Sequence, residues 1–187
     1  PAELVKLARS IQRPPSVKPT REQAPPLTLN DGFENTPLNT PADIAITWGE
    51  AGTASIRVTE ELAASGKRCL KFADAPGLDQ TWNPHMYYSP HQTEGHASCS
   101  FALRMEPGAV MCHEWRDASS PFRVGPTMTV DATGQLAAAG QPIATLPHSE
   151  WVRFEIKTGL GKLADGTWSL TITLPGEQPQ TIEDLPC

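Results

Sequence analysis

The sequence predicts an all-β protein made of two antiparallel sheets stacked as a sandwich, and three observations predict it. Nineteen prolines and 14 glycines in 187 residues divide the chain into short elements joined by turns, a composition that long helices do not tolerate. From Leu27 onward, short runs with an apolar residue at every second position alternate with turn signals, the pattern of strands with one buried and one wet face. About ten such runs occur, enough for two sheets rather than one.

The first 26 residues read differently. In residues 1–12, PAELVKLARSIQ, the residues Leu4, Leu7, Ala8 and Ile11 recur at helical spacing and predict one short amphipathic helix whose apolar stripe needs a surface to cover it. The stretch that follows, RPPSVKPTREQAPP, is proline-rich and polar and predicts an extended linker. Residues 1–26 are therefore expected to form a helix plus linker, either the end of a preceding domain or a strap docking on this one. Residues 27–187 are expected to form the sandwich. The chain starts at Pro1 rather than Met and reads as a processed product or a piece of something longer.

Within the sandwich, strands are expected at residues 27–34, 54–59, 68–73, 84–88, 97–106, 109–115, 122–130, 142–146, 151–158 and 168–174. Three show the two-residue period without interruption. In SCSFALRM, Cys99, Phe101, Leu103 and Met105 share a face and are expected in the core. In WVRFEIKT, Val152, Phe154 and Ile156 alternate with Arg153, Glu155 and Lys157, and in WSLTITL, Trp168, Leu170, Ile172 and Leu174 alternate with polar residues. The last two strands are joined by GLGKLADG, whose Asp165-Gly166 is a turn dipeptide, so they predict a hairpin. GLGK is not a phosphate loop, because neither the required glycine spacing nor a following helix is present. The strands at 97–106 and 109–115 are likewise expected to pair as a hairpin through the core.

Charge and cysteine content narrow the function. A net charge of −6 with no Lys/Arg cluster excludes nucleic acid and an anionic membrane surface as partners, since each requires a basic patch. No apolar run approaches the roughly 18 residues that span a bilayer. Cys69, Cys99, Cys112 and Cys187 lack the CxxC spacing of zinc or redox sites. They allow three pairings, with a Cys99–Cys112 bridge and four unpaired thiols both open.

Chemistry-bearing residues concentrate in residues 82–117, which hold four of the five histidines, both tyrosines and the cluster His113, Glu114, Trp115, Arg116 and Asp117. The histidines His85, His91, His96 and His113 match no compact metal-ligand motif. Glycoside hydrolysis needs two carboxyl groups roughly 5–9 Å apart, whereas Glu114 and Asp117, three apart on a strand, face opposite sides. No catalytic residue is therefore assigned. Binding asks for less: Trp82, Tyr87, Tyr88 and Trp115 are flat amphipathic rings suited to stacking on sugars, and His85, His113, Glu114, Arg116 and Asp117 can bond hydroxyls. Arg116 and Arg123 also suit a sulfate or uronate. Equally open is that Trp115 and Tyr87 are core residues and Arg116 pairs with Asp117 or Glu114.

The order NDGFE, a proline-rich loop, ASIRVTEE, then AASGKRCLKF resembles the opening of secreted β-sandwich modules attached to polysaccharide-acting enzymes. NPHMYY, HQTEGH, EWRDASSPFRVGP, SEWVRFEI and GTWSLTITLPG resemble the sandwich region at the end of large bacterial proteins with right-handed parallel β-helix repeats. The combined resemblance covers residues 27–187. It implies a concanavalin-like jelly roll, secretion to an extracellular or periplasmic location, and a non-catalytic accessory role, with polysaccharide or glycan as partner beside a neighbouring domain or partner subunit. It also implies a structural Ca²⁺ near the first strand, with Asp31 and Glu34 as oxygen ligands. Such modules usually close with an aromatic-x-Asp-Asn/Asp-apolar strand that pairs near the first strand; this sequence does not contain it, so the resemblance implies either that the sequence is truncated or that a partner segment supplies the strand. Because this sandwich serves binders, spacers and enzymes alike, two alternatives accompany the binding role. One is a purely structural domain docked on a β-helix or partner subunit, and the other is a glycoside hydrolase or polysaccharide lyase whose site another domain completes.

Overall fold

The computed structural model describes residues 24–187; the helix expected over residues 1–12 and most of the proline-rich linker lie outside them. The described residues form an all-β protein of twelve strands and a single 3₁₀ turn, Gly161–Leu163. The strands are β1 (Ile46–Trp48), β2 (Ser55–Thr59), β3 (Cys69–Ala73), β4 (His85–Tyr87), β5 (Gly95–Arg104) and β6 (Met111–Arg116). They continue with β7 (Val124–Val130), β8 (Gln135–Ala138), β9 (Gln141–Thr145), β10 (Trp151–Leu160), β11 (Thr167–Thr173) and β12 (Gln180–Pro186).

Two antiparallel four-stranded sheets carry the fold. One has the order β12-β11-β10-β5 and the other the simple meander β6-β7-β8-β9. The chain thus leaves the first sheet after β5, builds the whole second sheet, and returns to lay β10 beside β5. Two short ribbons, β1-β4 and β2-β3, complete the structure.

Side-chain alternation decides how the two sheets meet. On β10, Val152, Phe154 and Ile156 are buried while Arg153 and Lys157 are exposed. Their antiparallel partners Ile172 and Leu170 on β11, and Leu103, Phe101 and Cys99 on β5, share that inward face, as directly opposed residues must. Met128, Val130, Leu136 and Ala138 from β7 and β8 supply the facing surface of the same core. Phe101 stacks on Phe154 within its own sheet at 5.4 Å between ring centroids, and meets His113 of the second sheet at a tilt of 36° and 5.2 Å. Each fully buried side chain of this size contributes about 1.5–3 kcal/mol of hydrophobic stabilisation.

The hairpin expected between residues 151–158 and 168–174 forms as β10 and β11, with Phe154 opposite Ile172 and Ile156 opposite Leu170. Asp165 shapes its connection by accepting hydrogen bonds from the Thr167 N–H and hydroxyl, both 2.9 Å. Nine of the ten expected strands are present with ends moved by a few residues, the usual uncertainty at strand termini.

Two expectations are corrected. Residues 27–34 do not form a strand. The Asp31 carboxylate accepts the Phe33 N–H at 2.8 Å, Phe33 adopts a positive φ of 64°, and the Thr36 N–H returns to the Phe33 carbonyl. Turn chemistry at Asn30-Asp31-Gly32 outcompetes the apolar alternation there. Nor do β5 and β6 pair as a hairpin: β5 pairs along its whole length with β10, and β6 with β7. The Glu106–Ala109 turn, with Gly108 at φ 84°, carries the chain from one sheet to the other, and the Ser149 N–H bonds the Met105 carbonyl at 2.8 Å. All four cysteines are free thiols, Cys99 and Cys112 lying in different sheets.

Three strands were not foreseen. β8, QLAA, is weak in β propensity, β12 contains Asp184 and Pro186, and β1 is three residues long. Each is held by tertiary pairing rather than by local preference.

Candidate functional site

The residues singled out in the sequence separate into two groups on different elements. The first lies on the β1-β4 ribbon, where Ile46 pairs with Tyr87, Thr47 with Met86 and Trp48 with His85. Opposed residues in an antiparallel pair project on the same side, so Ile46, Trp48, His85 and Tyr87 share one face. That face is turned to solvent: Trp48 is 66% exposed, Ile46 47% and Tyr87 46%. Trp82, 61% exposed, stands in the turn that leads into β4, closed by the Asn83 N–H on the Gln80 carbonyl. Two aromatic rings and an isoleucine exposed on one small ribbon, with a third ring in the adjoining turn, form an apolar patch of the kind that marks a contact surface.

The ribbon is held in shape from its own end. Gly49 follows Trp48 at φ 75°, and a Cβ there would overlap the Asn83 side chain. Only glycine permits both the left-handed turn and the close approach. Asn83 Oδ1 in turn lies 3.0 Å from His85 Nδ1, which orients the imidazole beside Trp48. Tyr88, the next residue, points the other way and is half-buried; burial, with the carboxylate of Asp31 and the Cys99 thiol nearby, pushes its phenol up to about 12. It is thus a neutral, half-buried ring rather than part of the exposed face.

The second group forms the corner between β6 and β7. His113 and Trp115 face inward, and the Trp115 indole N–H donates to His113 Nε2 at 3.0 Å. That bond requires an unprotonated Nε2, so the imidazole is neutral with its proton on Nδ1. Burial pushes its pKa down, with Glu114 opposing the shift. On the outer face Glu114 forms an ion pair with Arg116, whose guanidinium also sits 4.2 Å from the centre of the Phe122 ring. Asp117 accepts bonds from the Arg123 N–H at 2.8 Å, the Arg123 Nε–H at 2.6 Å, and the Ser119 hydroxyl at 2.6 Å. These donors, the Arg123 backbone amide foremost, hold its carboxyl well below the usual carboxylate range.

Chemically, the corner is satisfied by its own members. A carboxylate stabilised in this way does not act as a general acid near neutrality, and both arginines already have carboxylate partners. Trp115 packs against the core and is not free to stack on a ligand. The structure therefore puts His85 and Tyr87 on one ribbon with Trp82 in the turn that precedes it, leaves Tyr88 half-buried, and assigns His113, Glu114, Trp115, Arg116 and Asp117 to a separate, self-bonded corner. Trp48 and Ile46 were missed in the sequence. The signal was Ile44-Ala45-Ile46-Thr47-Trp48, an alternation too short to stand out from the surrounding loop.

Of the two residues expected at a calcium site, Asp31 and Glu34, each has one carboxylate oxygen engaged within the protein. Asp31 is engaged with the Phe33 amide, and Glu34 Oε1 accepts the backbone N–H groups of Lys67 and Arg68 at 2.8 and 3.0 Å. Ca²⁺ needs six or more oxygen ligands. Among the described residues no three His, Cys, Asp or Glu side chains converge on a point that would hold a metal ion, and His85 and His113 lie on different elements. No helix among them is long and apolar enough to cross a membrane.

Fold and ribbon together define an all-β, sandwich-like protein that displays an aromatic surface on an accessory ribbon. No family model, curated protein or solved structure matches the chain.

Proposed function

We propose that this chain is a non-catalytic accessory module that binds a carbohydrate through the exposed face of the β1-β4 ribbon, within a larger exported protein acting on polysaccharide. The observation that carries the reading is the set Trp48, Tyr87 and Trp82, exposed on and beside one ribbon, with His85 paired opposite Trp48 as a hydrogen-bonding group. Aromatic faces stack on the C–H faces of sugar rings while a few polar groups fix orientation. The two antiparallel four-stranded sheets are compatible with the sandwich class that the sequence motifs resemble. No acid/base pair is required, and the acids of the β6 corner are committed to neighbouring donors.

Affinity electrophoresis in gels cast with plant and algal polysaccharides, followed by calorimetric titration with the retarding glycan, tests the reading. Trp48→Ala and Tyr87→Ala are expected to weaken binding about 30-fold each, the effect of losing a central aromatic anchor of roughly 2 kcal/mol, with unchanged melting temperature. Lack of retardation across neutral, uronate-rich and sulfated polysaccharides sinks the binding role. The structural alternative, docking on a β-helix or partner subunit, would use the same exposed apolar residues. It is recognised by this domain melting together with its neighbour instead of independently.

A further inference from the structure

The exposed face of the β1-β4 ribbon carries an acceptor whose polarity a neighbouring residue dictates. His85 Nδ1 lies 3.0 Å from Asn83 Oδ1. A carboxamide oxygen only accepts, so Nδ1 holds the ring proton and Nε2 of the neutral imidazole is left with its lone pair. The Asn83 carboxamide is itself seated against Gly49, in the space that a Cβ there would take. Nε2 makes no hydrogen bond among the described residues, and none of their buried side-chain nitrogens lacks a partner, so the lone pair is reached by solvent.

We propose that Asn83 is a positioning residue that sets His85 in its Nδ1–H form, and that the exposed Nε2 lone pair makes this face select neutral, hydroxyl-bearing sugars over uronates. The selection rests on the ribbon being a carbohydrate site. A sugar hydroxyl donates to Nε2 and still accepts from the Trp48 indole N–H or the Tyr87 hydroxyl. Both partners share the face, Trp48 directly opposite His85 and Tyr87 two residues on. A carboxylate has no proton to give. Set against Nε2 it places lone pair on lone pair, and the water both groups surrender is not replaced by a hydrogen bond. This discrimination acts at contact distance, so it persists in salt that screens the long-range repulsion of the net −6 charge.

Nitrogen-15 spectra of the imidazole read the tautomer on the full chain without any ligand. At about pH 8, where free imidazole is neutral, His85 is expected to carry its proton on Nδ1. Asn83→Leu should spread the proton over both nitrogens, and Asn83→Asp, which keeps an acceptor oxygen, should restore the Nδ1–H form. A proton on Nε2 in the parent would overturn the proposal. Affinity electrophoresis reads the selection, with galactan, mannan and glucan each run against the uronan of the same sugar, pairs that differ chiefly at C6. At about 1 M salt, where the screening length is about 3 Å, the neutral member should be retarded more strongly. His85→Lys replaces the acceptor by a cationic donor and should shift the ratio of dissociation constants roughly tenfold toward the uronan. Asn83→Leu should weaken the neutral member about fivefold, the worth of one neutral hydrogen bond, at an unchanged melting temperature. Retardation with a ratio that His85→Lys leaves unmoved would overturn the selection while the carbohydrate site stands. Retardation by no member of these pairs would also overturn it, and absence of retardation across the wider polysaccharide series would remove the carbohydrate site as well.

Discussion

His113 shows how one residue acquires a pH response from its surroundings. Its ring is sealed between Phe101 and the Trp115 indole and is held neutral, and burial sets its pKa below the unfolded value of about 6.5. Below pH 6.5 the unfolded chain takes up a proton that the folded one resists. The stabilisation is therefore complete above that pH and is lost progressively as pH falls toward the depressed folded value. Thermal melting between pH 7.5 and 5 is expected to show this decline, and His113→Phe, which keeps a ring on Phe101, should flatten it. An unaltered slope in the variant would remove His113 as its cause. Asp117, Asp131 and Asp165 act in a lower window. Their carboxylates are held down by backbone and hydroxyl donors, so their contribution is present above about pH 4 and fades under stronger acid.

At the scale of elements, the β1-β4 ribbon and the β10-β11 hairpin behave as opposites. The hairpin lies in the core, and Phe154, fully buried and stacked on Phe101, is expected to cost about 3–5 kcal/mol when truncated to Ala. Denaturant titration measures that loss directly. The ribbon contributes its three-residue strands and an exposed face, so its disruption leaves the sandwich standing. Gly49→Ala is expected to strain the turn after Trp48, displace Asn83 and release His85. Glycan affinity should fall while the melting temperature stays within a few degrees of the parent. A full cooperative loss of structure in this variant would show that the ribbon is part of the core unit.

Among the described residues, cohesion comes chiefly from the core shared by the two four-stranded sheets, with Ile56 and Val58 of β2 buried outside it, and without covalent cross-links among the four cysteines. Reducing agent is accordingly expected to leave the melting temperature unchanged, and alkylation of the unfolded, unreduced protein should label all four thiols. In the folded protein Cys112 and Cys187, exposed, should react before Cys99, whose burial raises its thiol pKa and lowers the reactive thiolate fraction. Any bridge detected by intact mass would contradict this state. The overall negative charge of −6 adds long-range repulsion toward anionic polymers, so neutral glycans are expected to be retarded more strongly than sulfated ones in the same gel series.

How much of this was legible in the sequence depends on which residues are considered. Val152, Phe154 and Ile156, with Trp168, Leu170 and Ile172, announced their strands, their inward face and their pairing, because a two-residue period and an Asp-Gly turn are local signals. Residues 27–34 misled because alternation there competes with Asn30-Asp31-Gly32, and the competition is resolved by a hydrogen bond from Phe33 to Asp31. In the candidate site, Trp82, His85 and Tyr87 were visible as residue types suited to sugar contact, but Trp48 was not, since its role depends on pairing with His85 from 37 positions later. The HEWRD cluster looked like chemistry because its residue types are those of active sites. Only the fold shows that His113 and Trp115 bond each other inside the core, while Glu114, Arg116, Asp117 and Arg123 neutralise one another outside it. The sequence by itself thus determined the all-β class and the inward face of the central strands, which follow from local periodicity. The tertiary structure alone decided which strands pair, and which aromatic rings are left in water, because both depend on contacts between residues far apart in the chain.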